Sequence, residues 1–112
     1  MNQKLDDEIN EVVRLINIEK RLGKTSITNE DADFVKALAD KKCYPRAEYV
    51  LARMYLCGYQ VEQDKALGME YLARSSRHAG YDIQLKIAYI YNVLGEHKKI
   101  KKWLKRAQKD RN

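Results

Sequence analysis

Apolar residues recur at steps of three and four along most of the chain, and short stretches holding a glycine, a proline or a capping side chain separate the runs. Residues 3–22 carry Leu5, Ile9, Val12, Val13, Ile16 and then Ile18 or Leu22 on one stripe, with Asp6, Asp7 and Glu8 in the first turn, where the helix dipole favours anions. Gly23 ends this run. Lys24 to Thr28 reads as a linker, and Thr28 or Asn29 can cap a second helix with Phe34, Val35, Leu38 and Ala39 as its apolar face. Pro45 fits the first turn of a third helix, where its missing N–H costs nothing. That helix runs to Cys57 with Ala47, Leu51, Met54 and Tyr55 on one face, and Gly58 is its natural stop. Gly58 to Gln63 is a loop. Asp64 caps a fourth helix reaching His78, with Leu67, Tyr71, Leu72 and Ser75 as its stripe and Gly80 just past its end. Asp82 to Leu94 is a fifth helix, stopped by Gly95-Glu96, and 97–109 a sixth. The pattern predicts an all-α chain.

The third to sixth helices repeat. An offset of 36 residues places Ala47, Leu51, Ala52, Met54 and Tyr55 on Ile83, Ile87, Ala88, Ile90 and Tyr91, two identities and three apolar matches. An offset of 32 places Tyr71, Leu72, Arg74 and Ser75 on Trp103, Leu104, Arg106 and Ala107. The difference is a shorter loop in the second unit. Val35 falls on Tyr71 at the offset of 36, so the second helix reads as the latter half of an earlier unit. Helix pairs at a fixed period, with length changes confined to loops, are the signature of an α-solenoid. The first helix does not match the repeat, and an atypical terminal unit caps such an array.

Leu51, Tyr55, Gly58, Val61 and Asp64, followed by Tyr71 at a Trp position and Ser75-Ser76 at a small-small pair, resemble the Sel1-like repeat, a relative of the tetratricopeptide repeat. Tyr91, Lys99, Trp103 and Ala107 match in the second unit. Ala52 and Ala88 replace a helix-contact Gly, Gln60 replaces a loop Gly, Gly68 replaces an Ala, and the last unit lacks the long loop, so the repeats are degenerate. The resemblance covers about residues 33 to 108. It implies a right-handed superhelix of helix pairs used for protein binding, without catalytic residues. The expected organisation is a single domain over 1–112, with a capping helix and linker in 1–28 and repeats in 29–109.

Charge adds an asymmetry. The net charge is +6, but residues 1–40 hold six basic and nine acidic side chains, whereas 41–112 hold sixteen and seven. The sixth helix has a nearly continuous basic face: Lys98, Lys101, Lys102, Lys105, Arg106 and Lys109. Such a face suits an acidic protein surface or nucleic acid. Nucleic-acid binding usually adds exposed aromatics along the basic stripe, and here the only aromatic, Trp103, belongs to the expected core.

Chemistry-bearing residues are sparse. His78 and His97 stand on different elements with no carboxylate or cysteine at metal spacing. No Gly-rich phosphate loop is present. Cys43 and Cys57 flank a helix of about eleven residues, which at about 1.5 Å per residue separates them by roughly 17 Å, far beyond disulfide reach; free, mostly buried thiols are expected. No cofactor, metal or enzymatic activity is expected. Eight of the ten aromatics are tyrosine. Tyr55, Tyr71 and Tyr91 occupy core positions of the repeat. Tyr49 and Tyr89 fall off the packing stripes of the first helices of their units, which line the concave face in such solenoids. Tyr49, Arg53, Gln84 and Tyr89 therefore form the candidate contact set, with Lys101, Lys102 and Lys105 as a second candidate surface.

The functional expectation is a protein-binding module: an adaptor, or a bacterial immunity protein that covers a site on a cognate toxin. The alternative is an RNA-binding protein using the basic sixth helix. With no apolar run of membrane-spanning length and no apolar leader, a cytoplasmic location is expected. Oligomeric state is left open by the sequence.

Overall fold

A computed structural model describes residues 2–96 together with Lys98, Lys99, Lys101, Lys102 and Lys105. Five helices follow one another: α1 (Gln3–Arg21), α2 (Asn29–Lys41), α3 (Pro45–Cys57), α4 (Lys65–His78) and α5 (Tyr81–Val93). The five lysines beyond Gly95 are also helical and exposed. His97, Ile100, Trp103, Leu104 and residues 106–112 lie outside the described residues, and most of the expected sixth helix and the core position expected for Trp103 fall there.

Local chemistry sets the boundaries. Asn2 caps α1, its side chain accepting from the Lys4 and Leu5 amides. At α2 the Thr28 hydroxyl accepts from Asp31 N while the Asp31 carboxylate accepts from Thr28 N, a reciprocal capping box. Pro45 opens α3, and Gly58 closes it in the left-handed conformation at φ 73°. Asp64 accepts from Leu67 N at the start of α4.

Helix α3 is the hub, packing against all four other described helices and most extensively against α4. Gly68 explains that closeness. A Cβ there would lie 2.7 Å from Leu56 Cγ and 3.1 Å from Ala52 O, so the two backbones could not approach this far with a larger residue. Val50, Leu51, Ala52, Met54 and Leu72 are wholly buried between them. Tyr55 stacks on Tyr71, centroids 5.9 Å apart, and the Tyr71 hydroxyl donates to Asp40 at 2.8 Å. Burial, then the Asp40 carboxylate, push the Tyr71 hydroxyl pKa up to about 12.

Helix α1 is attached differently. Leu15, Ile18 and Leu22 enter the core, while Leu5, Ile9, Val12 and Val13 are 52%, 51%, 39% and 51% exposed. The expected stripe is thus only partly the buried one. At about 100° per residue the buried and exposed sets lie roughly 130° apart around the helix, so α1 has two apolar faces and the core takes the one containing Leu15. Charge supplies the rest of the attachment. Arg14 and Arg21 both reach Asp31, at 3.2 and 3.1 Å, Lys42 reaches Glu11 at 2.8 Å, and the Arg14 guanidinium lies 4.1 Å above the Phe34 ring. Burial alone would raise the Asp31 pKa. The Thr28 amide, both arginines and the Thr28 hydroxyl overcome it, holding the carboxyl below the usual range.

The cysteines are free, as expected, but both are exposed rather than buried. Cys43 sits in the α2–α3 loop at φ 53°, and Cys57 is the last residue of α3. No described helix is long and apolar enough to cross a membrane.

Candidate functional site

Helices α1, α3 and α5 are joined by charge. Glu19 of α1 accepts from Arg46 of α3 at 2.7 Å and from Lys86 of α5 at 2.6 Å, and Arg46 also reaches Asp82 of α5 at 3.2 Å. Burial opposes ionisation of Glu19, and the two cations outweigh it, so its pKa is lowered. Three helices distant in sequence therefore share one face with a charged frame across it. The Tyr49 ring lies inside this frame, with the Arg53 guanidinium 5.8 Å and the Lys86 ammonium 5.9 Å from its centroid.

The four expected contact residues separate here. Tyr89 is 69% exposed, and Arg53 is half-buried beside Tyr49. Tyr49 itself is only 5% exposed, and Gln84 is 2% exposed with its Nε2 donating to Ala79 O at 2.8 Å. Both lie in the core rather than on an open face. The reason is crowding: α3 and α5 are packed on several sides, so a position off the main apolar stripe still meets a neighbouring helix. Tyr49 supports Arg53 and Lys86 from beneath, and Gln84 ties the α4–α5 turn.

Sequence reading missed the residues that accompany Tyr89. Leu85, Tyr89 and Val93 are spaced four apart on α5, and all three are exposed, Val93 to 66%. Lys86 stands one helical turn from Tyr89, so this apolar line runs beside the charged frame. The spacing was available in the sequence; only the packing showed which side of α5 stays open. Lys101, Lys102 and Lys105 are exposed, and with Lys98 they recur at three- and four-residue steps, so they share one helical face.

A second grouping lies between the ends of α2 and α4 and the start of α3. Asp40, Cys43, Glu48, Arg74, Arg77 and His78 line a cavity of about 280 Å³. Glu48 is 3% exposed, and its Oε1 has no hydrogen-bond partner. Burial raises its pKa, against the opposing pull of His78 and Arg74. Among the described residues no three His, Cys, Asp or Glu side chains converge in a metal-binding arrangement.

In comparisons with protein-family models, with curated proteins and with solved structures, the chain gave no significant match in any of the three.

Proposed function

We propose that this chain is a non-catalytic protein-binding module, built as a short, degenerate α-solenoid of the Sel1-like type, whose contact surface is the face shared by α1, α3 and α5. The observation that carries this reading is the exposed line Leu85, Tyr89 and Val93 beside the Glu19–Arg46–Lys86 frame. A large aromatic at a rigid helical position, flanked by aliphatics and by a supported arginine, is the composition from which binding hot spots are made. Arg53 and Tyr89 remain the contact residues of the original set; Tyr49 lies against Arg53, and Gln84 holds the α4–α5 turn. Nothing in this surface suits bond-making chemistry. With binding as the whole activity, a dedicated partner is the natural client: a cognate toxin whose working site is covered, or a protein recruited by an adaptor. The effect on that partner would be steric, with charge speeding encounter.

Exposure of Lys98, Lys101, Lys102 and Lys105 supports a second reading, binding of RNA through the basic run. The two separate in a tagged pull-down from the native host with and without nuclease. A stoichiometric protein that survives nuclease and is lost with Tyr89→Ala supports the module. Loss of every partner on nuclease treatment, with binding that weakens steeply with salt and on changing Lys101, Lys102 and Lys105 to Glu, moves the function to RNA. Turnover abolished by a single change at His78 or Cys43 would overturn both.

A further inference from the structure

We propose that the exposed stripe of α1 is a self-association surface that joins two copies of the chain by antiparallel α1–α1 packing about a two-fold axis near Val12 and Val13. This goes beyond the partner-binding reading and does not depend on it.

The stripe consists of Leu5, Ile9, Val12 and Val13, extended by half-buried Ile16. From their fractional exposures the four side chains leave on the order of 350 Å² of contiguous surface open, already the size of the largest patch on a typical monomer. Val12 also lines a groove of about 350 Å³ with Glu8, Leu15, Tyr44, Pro45 and Arg46, so the open face continues past the helix toward the start of α3. Two such faces with their rims would bury on the order of 1,000 Å², at the lower end of specific interfaces.

The pattern selects a second copy as the occupant. With the axis between residues 12 and 13, Val12 meets Val13 of the second copy, Ile9 meets Ile16, and Leu5 meets the methylene stem of Lys20. Apart from Leu5, which faces the lysine stem, the stripe is palindromic in its apolar positions, as an isologous contact requires. The rim is self-complementary too. Asp6 and Lys20 flank the same edge of the stripe, and among the described residues neither takes part in an ion pair, although Arg14, Glu11, Glu19 and Arg21 on the other sides of α1 all do. A two-fold axis perpendicular to antiparallel helices brings like edges together. Asp6 of one copy then lies beside Lys20 of the other, twice. A parallel arrangement would instead place acid against acid.

The test is sedimentation equilibrium of the whole chain over about 5–500 µM. The expected result is a concentration-dependent shift from 13.2 kDa to twice that mass. Val13→Asp is expected to give monomer throughout that range, with unchanged helical circular dichroism because the site is open. Asp6→Lys and Lys20→Asp are each expected to weaken the dimer at least fivefold, and the Asp6→Lys/Lys20→Asp pair to restore it. Monomer at every concentration, a dimer indifferent to Val13→Asp, or a charge-exchanged pair no better than its singles each overturns the proposal. The exchange arm decides the matter even where an aspartate at residue 13 disturbs folding.

Discussion

Helix α1 and the α3–α4 hairpin are similar in helix content but are held to the molecule by different forces. In the hairpin, a glycine at 68 lets two backbones close until Leu51, Met54 and Leu72 lose all contact with water. Such packing is dense and intolerant of a change in volume. Only Leu15 and Ile18 of α1, with Leu22 at its C-cap, reach the core, and ion pairs to Asp31, Lys42, Arg46 and Lys86 do the remaining fastening. One consequence is that α1 can keep a whole apolar face free, because its position is fixed from the opposite side. Another is that the two regions answer to different perturbations.

The largest expected difference is in core truncation. Leu51→Ala or Leu72→Ala should cost about 2–5 kcal/mol in denaturant unfolding, whereas Val13→Ala should change monomer stability by less than about 0.5 kcal/mol. Equal costs would show that α1 is as deeply integrated as the hairpin. Next comes Gly68→Val, which forces Leu56 and the α3 backbone away and should cost about 1–3 kcal/mol, read from the same curves.

For α1 the informative change is Asp31→Asn, which removes the charge facing Arg14 and Arg21, leaves one acceptor oxygen for the donors that two now serve, and weakens the α2 cap at a cost of about 1–2 kcal/mol. Hydrogen exchange should then accelerate in α1 before it does in α3 or α4. Acid should act likewise. The folded pKa values of Glu19 and Asp31 are depressed below their reference values of 4.5 and 3.8. Their stabilisation is therefore present above those values and lost as pH falls through the lower folded ones. Uniform acid-induced exchange across all five helices would contradict a separately fastened α1.

Glu48, in the hairpin region, has the opposite sign. Its folded pKa is raised above 4.5, so its contribution is full below that pH and lost as pH rises through the raised value. Glu48→Gln should raise Tm by a few degrees at pH 7, and the gain should vanish below pH 4. The smallest stability effect belongs to Tyr89→Ala. Less than about 0.5 kcal/mol is expected, since the side chain is mostly in water, together with loss of the nuclease-resistant partner.

Much of this architecture was legible along the chain because helix ends are decided locally. Thr28 with Asp31, Pro45, Gly58 and Asp64 act through amides and dihedral angles within a few residues, and each was found where its chemistry required. Core positions on the second to fourth helices followed from period alone, Val35, Leu51, Met54 and Leu72 among them. The candidate site was legible only in part. Tyr89 is exposed, whereas Tyr49 and Gln84 are buried, because a helical stripe tells which side is most apolar and not how many neighbours surround the rest.

The sequence by itself determined that the chain is helical, where the helices in 3–94 begin and end, and that no phosphate loop or cysteine pair is built into it. Tertiary structure alone decided which of the two apolar faces of α1 is buried, that α3 is enclosed nearly all round, that Glu19 links three helices, and that both cysteines are exposed. Caps and turns draw on partners within four residues in the chain. Burial depends on the number and direction of helices packed against each side chain, and those helices come from tens of residues away.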